Sequence, residues 1–164
     1  MGSVISTGDN FTLNAWIYPS SFATRNAIIA NSYNFTNGNG WVFSLGGNGG
    51  DRSFFISIGN DSAYRISSNY ELDLNQWSFV SAVVRNGGQF IELYKNGIML
   101  TNTTSVLSQR SITYIYNQAN IGYRDYNLTT DPFNGRIGFV SVYGSSLTAS
   151  KIEDIYNRTN SRFI

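Results

Sequence analysis

Two neighbouring runs, residues 77–85 and 89–95, joined by Asn86-Gly87-Gly88, constrain the fold more than any other part of the chain. Successive side chains of a strand point to opposite sides. Trp77, Phe79, Ser81, Val83 and Arg85 therefore share one face, and Ser78, Val80, Ala82 and Val84 share the other. Apolar residues on both faces imply a strand covered on both sides or one near the centre of a sheet. In the second run Ile91, Leu93 and Lys95 oppose Phe90, Glu92 and Tyr94. Asn and Gly accept positive φ at little cost, so Asn86-Gly87-Gly88 makes a tight antiparallel connection. Asn96-Gly97 then turns the chain again into residues 98–101.

The same rhythm covers most of the chain. Short strand-like runs fall at 11–18 (stopped by Pro19), 27–31, 41–45, 53–58, 63–67, 112–116, 119–122 and 136–143, divided by Gly, Asn, Asp and Ser clusters. One helix is expected at 149–156. Thr148 is its N-cap, and Ile152, Ile155 and Tyr156 form its apolar stripe, suited to covering an edge or end of the sheets. This pattern predicts an all-β fold: a two-sheet antiparallel β-sandwich (jelly roll) with one short C-terminal helix. A length of 164 residues suits one buried core, so residues 1–164 read as a single domain.

Composition removes several functional classes. Cysteine and histidine are both absent, which excludes disulfides, thiolate metal sites and any Ser-His-Asp or Cys-His mechanism. Charged residues are only 13% and the net charge is +1, with no basic stripe to neutralise phosphates, so nucleic acid is not an expected partner. No stretch approaches the roughly 18 apolar residues of a membrane span, so membrane insertion is not expected. Residues 1–4 lack the basic and apolar regions of a signal peptide. The segment at 46–50 is glycine-rich but lacks the Lys-Ser/Thr and helix of a phosphate loop, and reads as a turn between strands.

Several segments, taken in order, resemble laminin-G-like jelly-roll domains of the concanavalin A-like lectin/glucanase superfamily. Phe11-Thr12-Leu13-Asn14-Ala15-Trp16-Ile17-Tyr18-Pro19 resembles their opening strand "FTIEAWVKP", and Gly40-Trp41-Val42-Phe43-Ser44-Leu45 resembles "GWxLxL". Gln76-Trp77-Ser78-Phe79-Val80-Ser81-Ala82-Val83 is similar to "xWHHVAVT", and Ile91-Glu92-Leu93-Tyr94-Lys95-Asn96-Gly97 to "VRLYVNG". The stretch from Asn120-Ile121-Gly122 through Phe133-Asn134-Gly135-Arg136-Ile137 to Ile155-Tyr156 follows "IGR…FNGxIDEVRIYNRALSxxEIxxLY". The resemblance spans residues 11–157 and implies a module for carbohydrate or protein recognition, often with one structural calcium ion. Where the family commonly has Ile-Asp-Glu, this chain has Ile137-Gly138-Phe139, which removes two carboxylates near the usual calcium region. Asp9 and Asp131, helped by Asn10 or backbone carbonyls, are the remaining candidates for that ion; solvated loop aspartates are the plainer reading.

The superfamily includes glucanases, which need a pair of carboxylates across the scissile bond. Glu71-Leu72-Asp73 comes nearest, in what reads as a connecting loop, and hydrolysis is disfavoured. Trp16, Trp41 and Trp77 fall at strand positions that, by the resemblance to the family, pack inside the sandwich, so ligand contacts are expected from loops. The loop around Tyr33, Asn34 and Asn37 is one candidate, and Tyr123-Arg124-Asp125-Tyr126-Asn127 is the other, with Arg124, Asp125 and Tyr126 as its contact residues. Both join rings to groups able to pair with hydroxyls. The expected function is a non-catalytic carbohydrate-binding or adhesion module on an extracellular or virion surface, with a glycan or surface glycoprotein as partner. The alternative is a structural or decoration protein of a viral or phage particle, acting through protein partners in a larger assembly.

Overall fold

The computed structural model describes residues 8–22, 26–31, 40–46, 51–58, 65–68, 71–103, 119–124 and 131–164. Its strands are β1 (Phe11–Pro19), β2 (Asn26–Asn31), β3 (Trp41–Leu45), β4 (Phe54–Ile58), β5 (Arg65–Ser67), β6 (Ser78–Arg85), β7 (Phe90–Lys95), β8 (Ile98–Thr103), β9 (Asn120–Ile121) and β10 (Gly135–Tyr143), followed by helix α1 (Ala149–Thr159). The strand expected at 112–116 lies outside the described residues. All described pairings are antiparallel. They form one sheet in the order β10-β1-β6-β7-β8 and a second in the order β5-β4-β3-β2-β9. β6 is the middle strand of the first sheet as described, and its two-faced apolar pattern is explained because Val80, Ala82 and Val84 meet the second sheet while Phe79 and Val83 lie in the cluster with Ile152 of α1.

Turn chemistry sets the register of that sheet. Asn96 and Gly97 both take positive φ, 51° and 82°, as the mirror-image two-residue hairpin turn requires. Asn96 also anchors β6: its amide N–H donates to the Phe79 carbonyl at 2.8 Å, and its Oδ1 accepts from the Phe79 amide at 2.9 Å. A Lys or Ser there would lose both the easy φ and the second bond.

Alternate residues of the two sheets meet in the main core. Phe11, Leu13, Ala15 and Ile17 of β1 and Val80, Ala82 and Val84 of β6 face Trp41, Phe43 and Leu45 of β3 and Phe54, Ile56 and Ile58 of β4. Phe11 stacks on Trp41 at 5.7 Å between centroids. Burying each such large apolar side chain contributes about 1.5–3 kcal/mol.

A second core lies on the outer face of the first sheet, where α1 packs. Trp16, Phe79, Val83 and Tyr94 are buried there with Ile152, and Trp77, Phe139, Ile155, Tyr156 and Phe163 pack around them. Thr148 caps the helix as expected, accepting from the Lys151 amide. The helix therefore covers a sheet face, not the edge or end that its sequence suggested. The tryptophans need the same correction. Only Trp41 lies between the sheets; Trp16 and Trp77 belong to the outer cluster, because Trp16 falls on the opposite face of β1 from Ala15 and Ile17. The Trp16 indole N–H finds its partner in Thr159 Oγ1 at 2.8 Å, and the Trp16 ring stacks on Phe163 at 4.7 Å. Gly138 is explained by the same packing, since a Cβ at that position would collide with the Phe163 ring.

Beside this cluster Glu92 joins two neighbours. Arg85 Nη1 donates to Glu92 Oε1 at 2.6 Å, and the Tyr94 hydroxyl donates to Glu92 Oε2 at 2.7 Å. Burial, reinforced by that hydrogen bond and the Glu92 charge, holds the Tyr94 phenol well above its ordinary pKa.

Candidate functional site

The second sheet carries the better-built polar site, at the end where β2 begins. Residue Ile28 forms a bulge between Ala27 and Ile29, and the backbone around it serves two other segments. The Gly122 amide donates to the Ile28 carbonyl at 2.9 Å, the Ala27 amide to the Asp131 carbonyl at 2.9 Å, and the Phe133 amide to the Gly122 carbonyl at 2.7 Å. Buried Asn26 ties in more of the chain: its Oδ1 accepts from the Asn134 amide at 2.7 Å, and its Nδ2 donates to the Ser21 carbonyl at 3.2 Å. Asn26 was not foreseen as a positioning residue, because a lone Asn at the head of an apolar run carries no motif.

On this scaffold Arg124 Nη2 meets Asp131 Oδ2 at 2.9 Å, with the two side chains only 12% and 21% exposed. Asp131 takes φ 58°, a left-handed conformation that Asp tolerates better than most residues. Ile121 and Tyr123 stand exposed in the same segment. An exposed aromatic ring next in sequence to a shielded guanidinium–carboxylate pair offers what a polyhydroxylated ligand needs: an apolar face, fixed donors and a fixed acceptor.

Of the sequence-predicted ligand-contact residues, Arg124 alone is among the described residues. Arg124 is at the end just described; Asp125 and Tyr126 lie outside the described residues. Tyr33, Asn34 and Asn37 also lie outside them, and their segment leaves β2 after Asn31, five residue steps or about 16 Å from Asn26. The structure thus gives the two candidate loops anchors at opposite ends of β2. Asp9 belongs to the far end as well: its carbonyl accepts from the Gly87 amide at 2.8 Å, and neighbouring Asn10 Oδ1 accepts from the Asn86 amide at 3.1 Å.

Asp9 and Asp131 therefore do not fit one shared calcium ion. They flank opposite ends of β1, whose eight residue steps span about 26 Å, whereas calcium ligands must sit about 2.3–2.6 Å from the ion. The Asp131 carboxylate is joined to Arg124 instead. Among the described residues no group of three or more His, Cys, Asp or Glu could hold a metal ion.

Among the described residues, two five-stranded antiparallel sheets packed face to face, with a helix on one outer face, define a jelly-roll sandwich of the lectin type. The family model of the concanavalin A-like lectin/glucanases superfamily matches residues 2–153, and the chain belongs to that family. Among solved structures, domain 4 of an extracellular GH43 arabinanase from Geobacillus stearothermophilus, in complex with arabinotriose, is 17% identical with TM-score 0.69, over 95% of this chain and 70% of that one. A putative carbohydrate binding protein from Bacteroides ovatus is 18% identical with TM-score 0.72, over 93% of this chain and 42% of that one. The sialidase CBM40 module of Ruminococcus gnavus, bound to α2,3-sialyllactose, is 12% identical with TM-score 0.72, over 91% of this chain and 83% of that one. At these identities the likeness is one of fold. No curated protein matches the chain by sequence.

Proposed function

We propose that this chain is a non-catalytic carbohydrate-binding module, presented outside the cell, that engages the glycan of a surface or glycoprotein partner. The observation that carries this reading is the Arg124–Asp131 pair, with the Asp131 carbonyl bonded by the Ala27 amide and exposed Tyr123 in the same segment as Arg124. A sugar ring stacks on Tyr123 while its hydroxyls share the Arg124 and Asp131 groups; Asp125 and Tyr126, from the adjoining stretch, complete the contacts. Support also comes from the relatives of like fold, whose ligands include arabinotriose and sialyllactose. Each contact is weak, and strong attachment comes from multivalent display.

Hydrolysis is disfavoured on the placement of the carboxylates. Glu92 is bound to Arg85 and Tyr94, Glu71 faces Arg52 at 3.8 Å, and Asp131 is paired with Arg124. A glycosidase needs two carboxyl groups facing one bond, one of them as a proton donor.

A glycan array with the purified protein, with and without calcium, tests the proposal. Saturable binding that disappears in both Tyr123→Ala and Arg124→Ala is the expected result. Binding untouched by either change would remove this region as the site, and silence on the array even from a folded tandem-repeat version would sink the carbohydrate reading. The assembly reading has one supporting observation: Ile98 (69% exposed) and Met99 (45% exposed) lie on β8, at the edge of the first sheet. Concentration-dependent oligomers abolished by Ile98→Lys would favour it.

A further inference from the structure

A groove runs between α1 and the end of β10, on the outer face of the first sheet. Its volume is about 180 Å³, and Tyr143, Leu147, Lys151, Asp154, Ile155 and Arg158 line it. Helical spacing explains the lining: Ile152, Tyr156 and Thr159 turn toward Trp16 and the sheet, while Lys151, Asp154, Ile155 and Arg158 form the next stripe at i, i+3, i+4 and i+7. The opposite wall is firmly held. Ser146 Oγ donates to the Val84 carbonyl at 2.7 Å, the Leu147 amide to Thr12 Oγ1 at 2.9 Å, and Thr12 Oγ1 to the Ser145 carbonyl at 2.9 Å.

We propose that this groove is a second ligand site, taking a single sugar ring that bears a carboxylate. Three properties of the groove select that chemistry. The Tyr143 ring with Leu147 and Ile155 supplies an apolar surface for the face of a ring. Two cations against one carboxylate leave the lining net positive. The Lys151–Asp154 pair, at 3.8 Å with side chains 65% and 52% exposed, is loose enough to reopen around a ligand. Arg158 and Lys151 then take the ligand carboxylate, and Asp154 accepts from ring hydroxyls. Asp154 also opposes a second negative charge, which favours a monoanionic sugar acid over a phosphate. The volume is below the roughly 300–1,000 Å³ of drug-sized sites, so the groove takes one residue of a chain, not an oligomer.

This inference rests on the carbohydrate-binding reading, and an NMR titration separates the two. Amide shifts of the isotope-labelled chain are followed with glucuronate, glucose and inorganic phosphate, in the wild type, Arg158→Gln and Lys151→Gln. Glucuronate is expected to shift amides of residues 143–158 saturably, with glucose weaker by on the order of tenfold and each substitution costing a similar factor. Phosphate that binds the groove as tightly as glucuronate would overturn the proposal in favour of a general anion site. Sugar-dependent shifts confined to residues 119–124 would overturn the groove and leave the carbohydrate reading intact. Absence of shifts at 143–158 with all three probes would also overturn it, while the array decides the broader reading independently.

Discussion

The indole Nε1–H of Trp16 donates to Thr159 Oγ1 at 2.8 Å, joining the first strand to the last turn of the helix across 143 residues of sequence. Thr159 Oγ1 in turn donates to the Ile155 carbonyl at 2.7 Å, so the hydroxyl is used in both directions. Thr159→Val keeps the shape and strands the buried indole N–H. A loss of about 1–3 kcal/mol is expected in denaturant unfolding, with Thr159→Ser close to wild type. Equal stability of the Val and Ser variants would show the bond to be dispensable.

Gly138 makes the second prediction. Its Cβ position is filled by the Phe163 ring, which also touches Trp16 and Trp77. Gly138→Ala should displace that ring and destabilise the fold by roughly 1–3 kcal/mol, the usual cost of overpacking. Combining it with Phe163→Ala should cost less than the sum of the two single changes. Strict additivity in thermal melts would count against the contact.

Alkaline pH probes Tyr94. Its folded-state pKa is raised by burial, so above about pH 10, the ordinary tyrosine value, the unfolded chain releases this proton while the folded one retains it. Fewer protons on the unfolded state mean that stability falls as pH rises. The stabilisation is thus complete below about pH 10 and is lost above it. Tyr94→Phe should be less stable than wild type at neutral pH, by about 1 kcal/mol for the lost bond to Glu92, and should show a shallower decline between about pH 10 and 11.5. Parallel pH profiles would contradict the assignment.

Asp131→Ala removes the carboxylate partner of a largely shielded Arg124 and places Ala at φ 58°, so it should cost roughly 1–3 kcal/mol. Asp131→Asn keeps the tolerated backbone and should cost less in stability, yet it should weaken any glycan binding as much as Arg124→Ala does. Binding by calorimetry alongside chemical unfolding distinguishes the two roles.

The strand rhythm was legible because it rests on local chemistry. The apolar residues on both faces of β6 pointed to a strand covered on both sides or central, Asn96-Gly97 named a hairpin, and Thr148 named a cap. The docking of α1 was not legible. The parity of β1 separates Trp16 from Ala15 and Ile17, but nothing local says which face meets the other sheet and which meets a helix. The candidate site was legible in part. Arg124 stood out as a loop guanidinium beside rings, but its carboxylate partner lies seven positions further on, at no regular spacing. Asp9 and Asp131 looked alike in sequence, and only the length of β1 separates them.

The placement of β1 between β6 and β10 also bears on how the molecule assembles. β1 leaves the ribosome before either of its neighbours, which begin at Ser78 and at Gly135, and its indole waits for Thr159. Contacts so distant in sequence make folding slow. Until α1 arrives, the strand's outer aromatic face is bare and sticky. Aggregation during synthesis is then a hazard built into the order of the strands, separate from the stability of the finished fold.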